Sequence, residues 1–228
     1  EITIAELLKT RGYATACIGK WHLGHHKDFL PTSQGFDSYF GIPYSNDMGI
    51  DRNMDLAEDV VWRQGITEES FRNGKGGGPP LMRGTDVIEV PADQATLTQR
   101  YTQEAIRFIQ ANREKPFFLY LPHTFPHLPL FASPEFHGKS ANGRYGDSVE
   151  EIDWSTGQIL DALKRLDLDE DTLVIFTSDH GEGFGEHGLY LHANSFFSEL
   201  VHVPLIIAGP GITSGKRAMI RFVGFLRP

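Results

Sequence analysis

The stretch ATACIGKWHLGHH, residues 14–26, passes directly from small apolar residues to a lysine and three histidines. Its first half, with Tyr13 before it, predicts a short buried strand that ends at Ile18. Cys17 lies inside this apolar run, so we predict a buried, inert thiol rather than a nucleophile. The strand is followed at once by charged and titratable side chains, which is where a sheet would carry a functional site.

The composition is that of one globular domain. The chain has 228 residues, 40% of them hydrophobic and 22% charged, and is long enough to bury a sizeable core. A formal net charge of −9 without a Lys/Arg stripe excludes nucleic acid as an expected partner. No apolar run reaches the roughly 20 residues of a membrane span, and no signal peptide is recognised. The single cysteine excludes an internal disulfide framework.

Helical and strand patterns alternate outward from the first strand. Helical spacing occurs at residues 2–12, 101–109 and 149–166, and apolar runs at 115–122, 171–179 and 203–209 predict strands. We therefore predict an α/β fold with a mainly parallel sheet sandwiched by helices. The continuous run DTLVIFTSD, residues 171–179, suits a central parallel strand. Residues 27–94 are interpreted as a long loop-rich excursion of the same domain, and residues 212–228 as an atypical C-terminal tail.

Most of the ten histidines follow the ends of three predicted strands. The three groups are His22, His25 and His26; His123 and His127; and His180, His187 and His192. Ligands of parallel α/β sheets bind beyond the carboxyl ends of the strands. We therefore expect these imidazoles to converge on one site.

Two members of the third histidine group, His180 and His187, lie in the stretch SDHGEGFGEHG, residues 178–188. Asp179 and His180 stand at a predicted strand end, where a carboxylate oxygen and an imidazole nitrogen could ligate a divalent metal. Two adjacent ligands do not complete a coordination sphere. A turn with solvated acidic residues is the alternative interpretation of these residues alone.

Several segments resemble the sulfatase family, within the alkaline-phosphatase-like superfamily and closest to its arylsulfatase A-like branch. GYATACIGKWHLG, residues 12–24, is similar to the second sulfatase signature, and four further blocks resemble family blocks in family order. These blocks are GFDSYFGIPYSNDMG, FFLYLPHTFPHLPLFAS, LVIFTSDHGEGFGEHG and SELVHVPLIIAGPGI. The resemblance covers most of the chain and implies an alkaline-phosphatase-like sulfatase domain.

The resemblance assigns roles to residues at matching positions. Lys20 would contact the nucleophile and the substrate sulfate, and His22 would act as a base. Ser45 would contact substrate, while His127 would bind sulfate and protonate the leaving alcohol. His192 matches a region where relatives carry a sulfate-binding lysine or histidine. Lysine suits sulfate as a compact cation, and histidine titrates near neutral pH.

The resemblance also implies a metal and a modified nucleophile. Asp179 and His180 match a pair that contributes to a Ca²⁺ site, whose remaining ligands would lie outside this chain. Histidine departs from the asparagine of the arylsulfatase A form. The family nucleophile is a formylglycine, which a formylglycine-generating enzyme makes from Cys or Ser in the full-length protein.

No Cys/Ser-x-Pro-Ser-Arg motif for that nucleophile occurs in the sequence. We therefore expect residues 1–228 to be an incomplete, N-terminally truncated sulfatase domain that is inactive alone, with an unpaired sheet edge prone to aggregation. The family implies a periplasmic, secreted or lysosomal setting and a sulfated small molecule or glycan as substrate. The alternatives are a phosphoester or phosphonate hydrolase of the same superfamily, and a non-catalytic module that binds sulfated glycans.

Overall fold

The structure, a computed structural model, describes residues 2–192, 195–213 and 215. The chain divides into two compact units, Glu1–Leu166 and Asp167–Pro228. Five helices occur in the described residues: α1 (Ile4–Lys9), α2 (Glu68–Arg72), α3 (Leu97–Ala111), α4 (Gly143–Arg165) and α5 (Ser198–Val201). None of these helices is long and apolar enough to cross a lipid bilayer.

The first unit contains a six-stranded mixed sheet. Its strands are β1 (Ala14–Ile18), β2 (Ser38–Gly41), β3 (Leu56–Trp62), β4 (Leu81–Arg83), β5 (Asp86–Val90) and β6 (Phe117–Tyr120). They lie in the order β3-β5-β4-β2-β1-β6. β1 pairs parallel with both β2 and β6, β3 pairs parallel with β5, and only β4 runs antiparallel to its neighbours. The predicted mainly parallel sheet is confirmed, with the strand of residues 14–18 between two parallel partners.

Successive residues of β1 enter two different cores, as the period of a strand requires. Cys17 packs in a cluster that includes Ala5 of α1, whereas Ala16 and Ile18 pack in a cluster that includes Tyr101 of α3. Helices therefore cover both faces of the sheet. Cys17 is fully buried, and burial raises the pKa of its thiol, so it has the inert character predicted for it.

The helices begin and end where local chemistry favours it. Thr3 caps α1 by accepting the Glu6 backbone N–H, and the Glu6 carboxylate accepts the Thr3 N–H in return. α3 and α4, both predicted from their apolar spacing, pack together on one face of the sheet. The hydroxyls of Thr102 and Ser155 form a buried hydrogen bond of 2.6 Å between these helices.

Residues 27–94, which were interpreted as a loop-rich excursion, contain four short strands. β2, β3, β4 and β5 all lie in this segment. Phe71, Leu81 and Val87 within it are fully buried. The strands are short, and in β3 exposed and half-buried residues are mixed without clean alternation, so their sequence carries little of the period that predicts a strand.

The second unit contains two pairs of antiparallel strands. β7 (Val174–Thr177) pairs with β10 (Leu205–Ala208), and β8 (Gly183–Phe184) pairs with β9 (Tyr190–Leu191). The prediction of a central parallel strand in residues 171–179 is therefore wrong for the pairing that the structure describes. A continuous apolar run predicts a strand, but it does not specify the direction of the neighbouring strand. Apart from Ile212, Thr213 and Gly215, the predicted tail at 212–228 lies outside the described residues.

Candidate active site

Two of the three histidine groups lie at the same edge of the sheet. β2, β1 and β6 are adjacent and mutually parallel, so their carboxyl ends point to one side. The loops that leave these three strands carry Ser45, the pair Lys20 and His22, and His127, respectively. His22 and His127, which follow β1 and β6, lie close enough to interact electrostatically, as the expected convergence requires of these two. The third group follows β7 in the second unit, and its convergence with them stays a prediction.

Two glycines allow these strand ends to approach closely. A Cβ at Gly41 would lie 1.8 Å from the carbonyl oxygen of Gly19, and one at Gly19 would lie 1.9 Å from the carbonyl oxygen of Pro122. Beyond β1, the backbone N–H of Lys20 donates to Pro122 and that of Trp21 donates to Ile42. The parallel hydrogen bonding therefore continues into the loop that carries Lys20 and His22.

The loop after β1 holds Lys20 and His22 on either side of a buried tryptophan. Trp21 donates its indole N–H to the Phe29 carbonyl at 2.8 Å and meets the ring of Phe36 edge to face. Lys20 is half-buried, and the exposed His22 has a left-handed φ of 61°. Non-glycine residues seldom adopt this conformation, and such strain is concentrated at functional sites.

The pKa of His22 is lowered by its surroundings. Partial burial is the main cause, and the positive charges of Lys20 and His127 add to it, while Asp47 opposes them. These four side chains are therefore close enough to interact electrostatically. A lowered pKa keeps His22 neutral at neutral pH, the form that accepts a proton.

His127 is oriented by neighbours on two loops. Its Nδ1 lies 2.6 Å from the Leu128 carbonyl oxygen and 3.1 Å from Oδ1 of Asn46. Both atoms are acceptors, so Nδ1 carries the proton and proton exchange with a substrate falls to Nε2. Ser45 Oγ lies 3.4 Å from Nδ1 and 3.5 Å from Nε2.

Asn46 and Asp47 belong to this site although the sequence analysis assigned them no role. Asn46 is buried and donates its side-chain amide to Gln94 Oε1 at 3.1 Å and to the Pro129 carbonyl at 3.0 Å. Since the amide group serves two acceptors, Oδ1 faces His127. The Asp47 carboxylate accepts a hydrogen bond from Ser45, which is the main cause that lowers its pKa. Their position directly after Ser45 was the only signal for them in the sequence.

The second unit brings His192 to His180. The two rings stack with centroids 4.3 Å apart, and His192 Nδ1 lies 3.0 Å from a Glu182 carboxylate oxygen. His180 Nδ1 lies 2.8 Å from the Gly181 carbonyl oxygen, and its Nε2 lies 3.7 Å from Asp179 Oδ2. Asp179 directs an 88% exposed carboxylate into solvent beside this pair.

This donor set does not fit Ca²⁺ by itself. Calcium takes six to eight oxygen ligands, and imidazole is a poor ligand for a hard cation. Among the residues that the structure describes, Asp179 supplies one such carboxylate at this position, and His180 supplies nitrogen. Asp179 fits as one ligand of a divalent cation, whereas the pair does not specify calcium.

Sequence and structural comparisons relate the chain to one protein family. The Sulfatase family model matches residues 1–222. The chain is 42% identical over 188 residues to N-acetylgalactosamine-6-sulfatase of Mus musculus, a match covering 79% of this chain and 33% of that protein. It is 38% identical over 230 residues to steryl-sulfatase of Homo sapiens, covering 79% of this chain and 40% of that protein.

The fold agrees with these sequence matches. The crystal structure of the PsFucS1 sulfatase from Pseudoalteromonas sp. superposes with a TM-score of 0.68 at 26% identity, covering 92% of this chain and 45% of that one. The chain thus spans between a third and a half of the length of these relatives. On the family match and these identities, the chain belongs to the sulfatase family.

Proposed function

We propose that the protein hydrolyses sulfate esters of aryl or carbohydrate alcohols and that the loops after β1, β2 and β6 hold the ester. The observation that carries this proposal is the grouping of Lys20, His22, Ser45 and His127 at one sheet edge, although 107 positions separate the first from the last in the sequence. The family and its named members support sulfate-ester chemistry.

Lys20 and Ser45 are proposed to bind the sulfate group. A sulfate monoester carries one negative charge, which a half-buried ammonium group neutralises better than a fully solvated one. The Ser45 hydroxyl donates to Asp47 in the structure, and it adds a neutral donor to the ester when it rotates its proton from Asp47 to a sulfate oxygen. Charge on the sulfate oxygens is thus offset by groups that are already in place before the reaction.

His127 is proposed to protonate the leaving alcohol. When the S–O bond breaks, its electrons remain with the alcohol oxygen. This oxygen takes a proton from Nε2 of the doubly protonated His127 ring, which leaves the neutral ring with its proton on Nδ1. The contacts of Nδ1 with Leu128 and Asn46 fix the ring so that Nε2 performs the proton transfer. His22, held neutral by its lowered pKa, is the proposed base, which receives a proton in the step after the alcohol has left.

The proposal also includes a modified nucleophile and a divalent cation. A formylglycine, made by a formylglycine-generating enzyme, would supply the oxygen that attacks sulfur, and Lys20 is the residue proposed to contact it. Asp179 and His180 are the proposed contributors to a divalent-cation site, with Ca²⁺ as the proposed ion. His192 is proposed to contact substrate sulfate, and the 228-residue chain is expected to show no turnover alone.

The test is equilibrium binding of two matched esters, 4-methylumbelliferyl sulfate and 4-methylumbelliferyl phosphate, to the 228-residue chain. We expect the sulfate ester to bind more tightly, and Lys20→Ala to weaken its binding about 10-fold or more, the loss typical of a charge-assisted hydrogen bond. Lys164→Ala, an exposed lysine at the end of α4, is the control and should change binding less than about two-fold.

Each contrary result has a defined meaning. A preference for the phosphate ester would favour the phosphoester or phosphonate hydrolase. Unchanged binding in Lys20→Ala would contradict the proposed sulfate site. In the full-length protein, sulfate-ester binding without any turnover would favour the non-catalytic glycan-binding module over the enzyme.

A further inference from the structure

We propose that His25, His26 and Asp51 bind one divalent first-row transition-metal ion, which fastens the loop after β1 to the loop after β2. Each side chain offers one ligand atom, and the three atoms lie within 4.8 Å of one another. His25 Nε2 is already 3.0 Å from Asp51 Oδ2. These residues have no role in the proposed hydrolysis.

The distances suit an ion of this size. Zinc binds histidine nitrogen and carboxylate oxygen at about 2.0–2.2 Å, so adjacent ligand atoms of a tetrahedral site lie about 3.3 Å apart. The His25–Asp51 pair is close to this separation. His26 is exposed and its ring lies 4.5 Å from that of His25 between centroids, so a side-chain rotation brings its nitrogen into range without moving a packed group.

Two of the three ligands are held by other contacts. Asp51 is half-buried, and its Oδ1 accepts the Asn53 backbone N–H at 2.9 Å, which leaves Oδ2 for the metal. His25 meets the ring of buried Tyr44 edge to face, with centroids 5.4 Å apart. Contacts of this kind reduce the ordering that metal binding requires.

The three side chains also line one cavity. Its volume is about 180 Å³, and Leu30, Met54 and Met82 contribute apolar walls. The site is accessible, so a water molecule can take the coordination position that the protein leaves open. Asp55 lines the same cavity, but its carboxylate pairs with Lys27, so it does not count as a fourth ligand.

The donor set selects the class of ion. Two imidazole nitrogens and one carboxylate suit Zn²⁺, Co²⁺ or Ni²⁺, whereas Ca²⁺ requires oxygen ligands. This set differs in residues and in chemistry from the pair Asp179 and His180. Because His25 follows His22 by three positions and Asp51 follows Asp47 by four, the ion would brace both loops of the candidate active site.

The test is titration of the chelator-treated 228-residue chain with Co²⁺, monitored by the visible absorption of the bound ion. Competition with Zn²⁺ is then measured with the same signal. We expect one Co²⁺ per chain with this absorption, and a rise in melting temperature on adding Zn²⁺. His26→Ala and Asp51→Asn should each weaken Co²⁺ binding at least about 10-fold and remove the melting-temperature shift. His137→Ala, which removes another exposed histidine, should leave both unchanged.

His26→Ala alters an exposed side chain, so it keeps the test informative if Asp51→Asn fails to fold. The proposal is overturned if the wild-type chain takes up no Co²⁺, or if His26→Ala binds it with unchanged stoichiometry and affinity. Ester binding by Lys20→Ala does not enter this test, so its outcome is independent of the proposed hydrolysis.

Discussion

His22 combines a left-handed backbone with a pKa that its neighbours lower. Partial desolvation of the ring is the main cause, Lys20 and His127 act in the same direction, and Asp47 opposes them. The side chain therefore reports directly on the electrostatics of the candidate site. Its neutral form is favoured down to a lower pH than in a solvated histidine.

Substitutions around His22 should shift its pKa with opposite signs. Lys20→Ala removes a positive charge and should raise the pKa of His22, whereas Asp47→Asn removes a negative charge and should lower it. The measurement is an NMR titration of the His22 ring resonances. Lys164→Ala is the charge-matched control and should leave the titration in place. Equal pKa values in the Lys20 and Asp47 variants would show that these groups do not face His22.

We infer that Asn46 positions His127 and does not touch substrate. Its Oδ1 accepts from His127, and its amide donates to Gln94 and Pro129. Asn46→Ala should lower the free energy of unfolding by about 1–3 kcal/mol, since buried acceptors lose their donor. It should also weaken sulfate-ester binding, because the His127 ring is no longer held.

A matched variant separates these two effects. Asn112 also donates its side-chain amide to a carbonyl oxygen, that of Phe108 at the end of α3. Asn112→Ala should lower the stability while leaving the sulfate-ester Kd unchanged. Calorimetric titration well below the melting temperature measures both variants. If the two lose stability and affinity in the same proportion, Asn46 has a structural role only.

At this scale the sequence predicted the residues that a linear motif contains. Lys20 and His22 stand in one signature, and Ser45 and His127 in blocks that follow strands. Asn46 and Asp47 were missed because their contacts join loops about 80 residues apart, as in the Asn46–His127 pair. The proposed metal ligands His25, His26 and Asp51 were missed for the same reason, because 25 positions separate His26 from Asp51 in the sequence.

At the level of the elements, the carboxyl ends of β2, β1 and β6 leave almost no room for an added side chain. The backbone of Gly41 approaches that of Gly19, which in turn approaches Pro122. Gly19 has a positive φ of 136°, so a side chain there would be strained as well as crowded. This close approach sets the spacing of the loops that carry Lys20, Ser45 and His127.

Gly41→Ala should therefore destabilise the protein strongly. Its Cβ would meet a backbone atom that cannot rotate away, and we expect a loss of about 3 kcal/mol or more in the free energy of unfolding. Gly157→Ala is the control, because no atom lies within 4 Å of the added Cβ and the residue is in α4. This variant should gain about 0.5–1 kcal/mol. Denaturant unfolding measures both, and a mild effect of Gly41→Ala would contradict the close approach.

The elements that the sequence predicted are those with a long or clean period. α3 and α4 carry apolar residues at helical spacing, and β1 and β6 are short runs of mainly apolar residues. β3, β4 and β5 lacked such a pattern because they are short or mix exposed and buried positions. The pairing of β7 with β10 was missed for another reason, since strand direction depends on partners distant in sequence.

On the scale of the whole molecule, the family match and the local geometry agree. The family model spans residues 1–222, and the sheet has the mainly parallel order expected of an α/β fold. Residues predicted to be functional occur in both compact units: Lys20, His22, Ser45 and His127 in the first, and Asp179, His180 and His192 in the second. That residues 1–228 form a single incomplete domain stays a prediction.

The central claim is that Lys20 and His127, which follow different strands, act on the same sulfate ester. A double-mutant cycle on sulfate-ester affinity tests this most directly, with Lys20→Ala, His127→Ala and the double variant of the 228-residue chain. Residues that share a ligand are coupled, so each single variant should weaken binding. The fold loss of affinity in the double variant should be smaller than the product of the two single-variant fold losses. We predict a coupling energy of at least about 0.5 kcal/mol. Losses that simply multiply, or single variants that bind as the wild type does, would contradict the account.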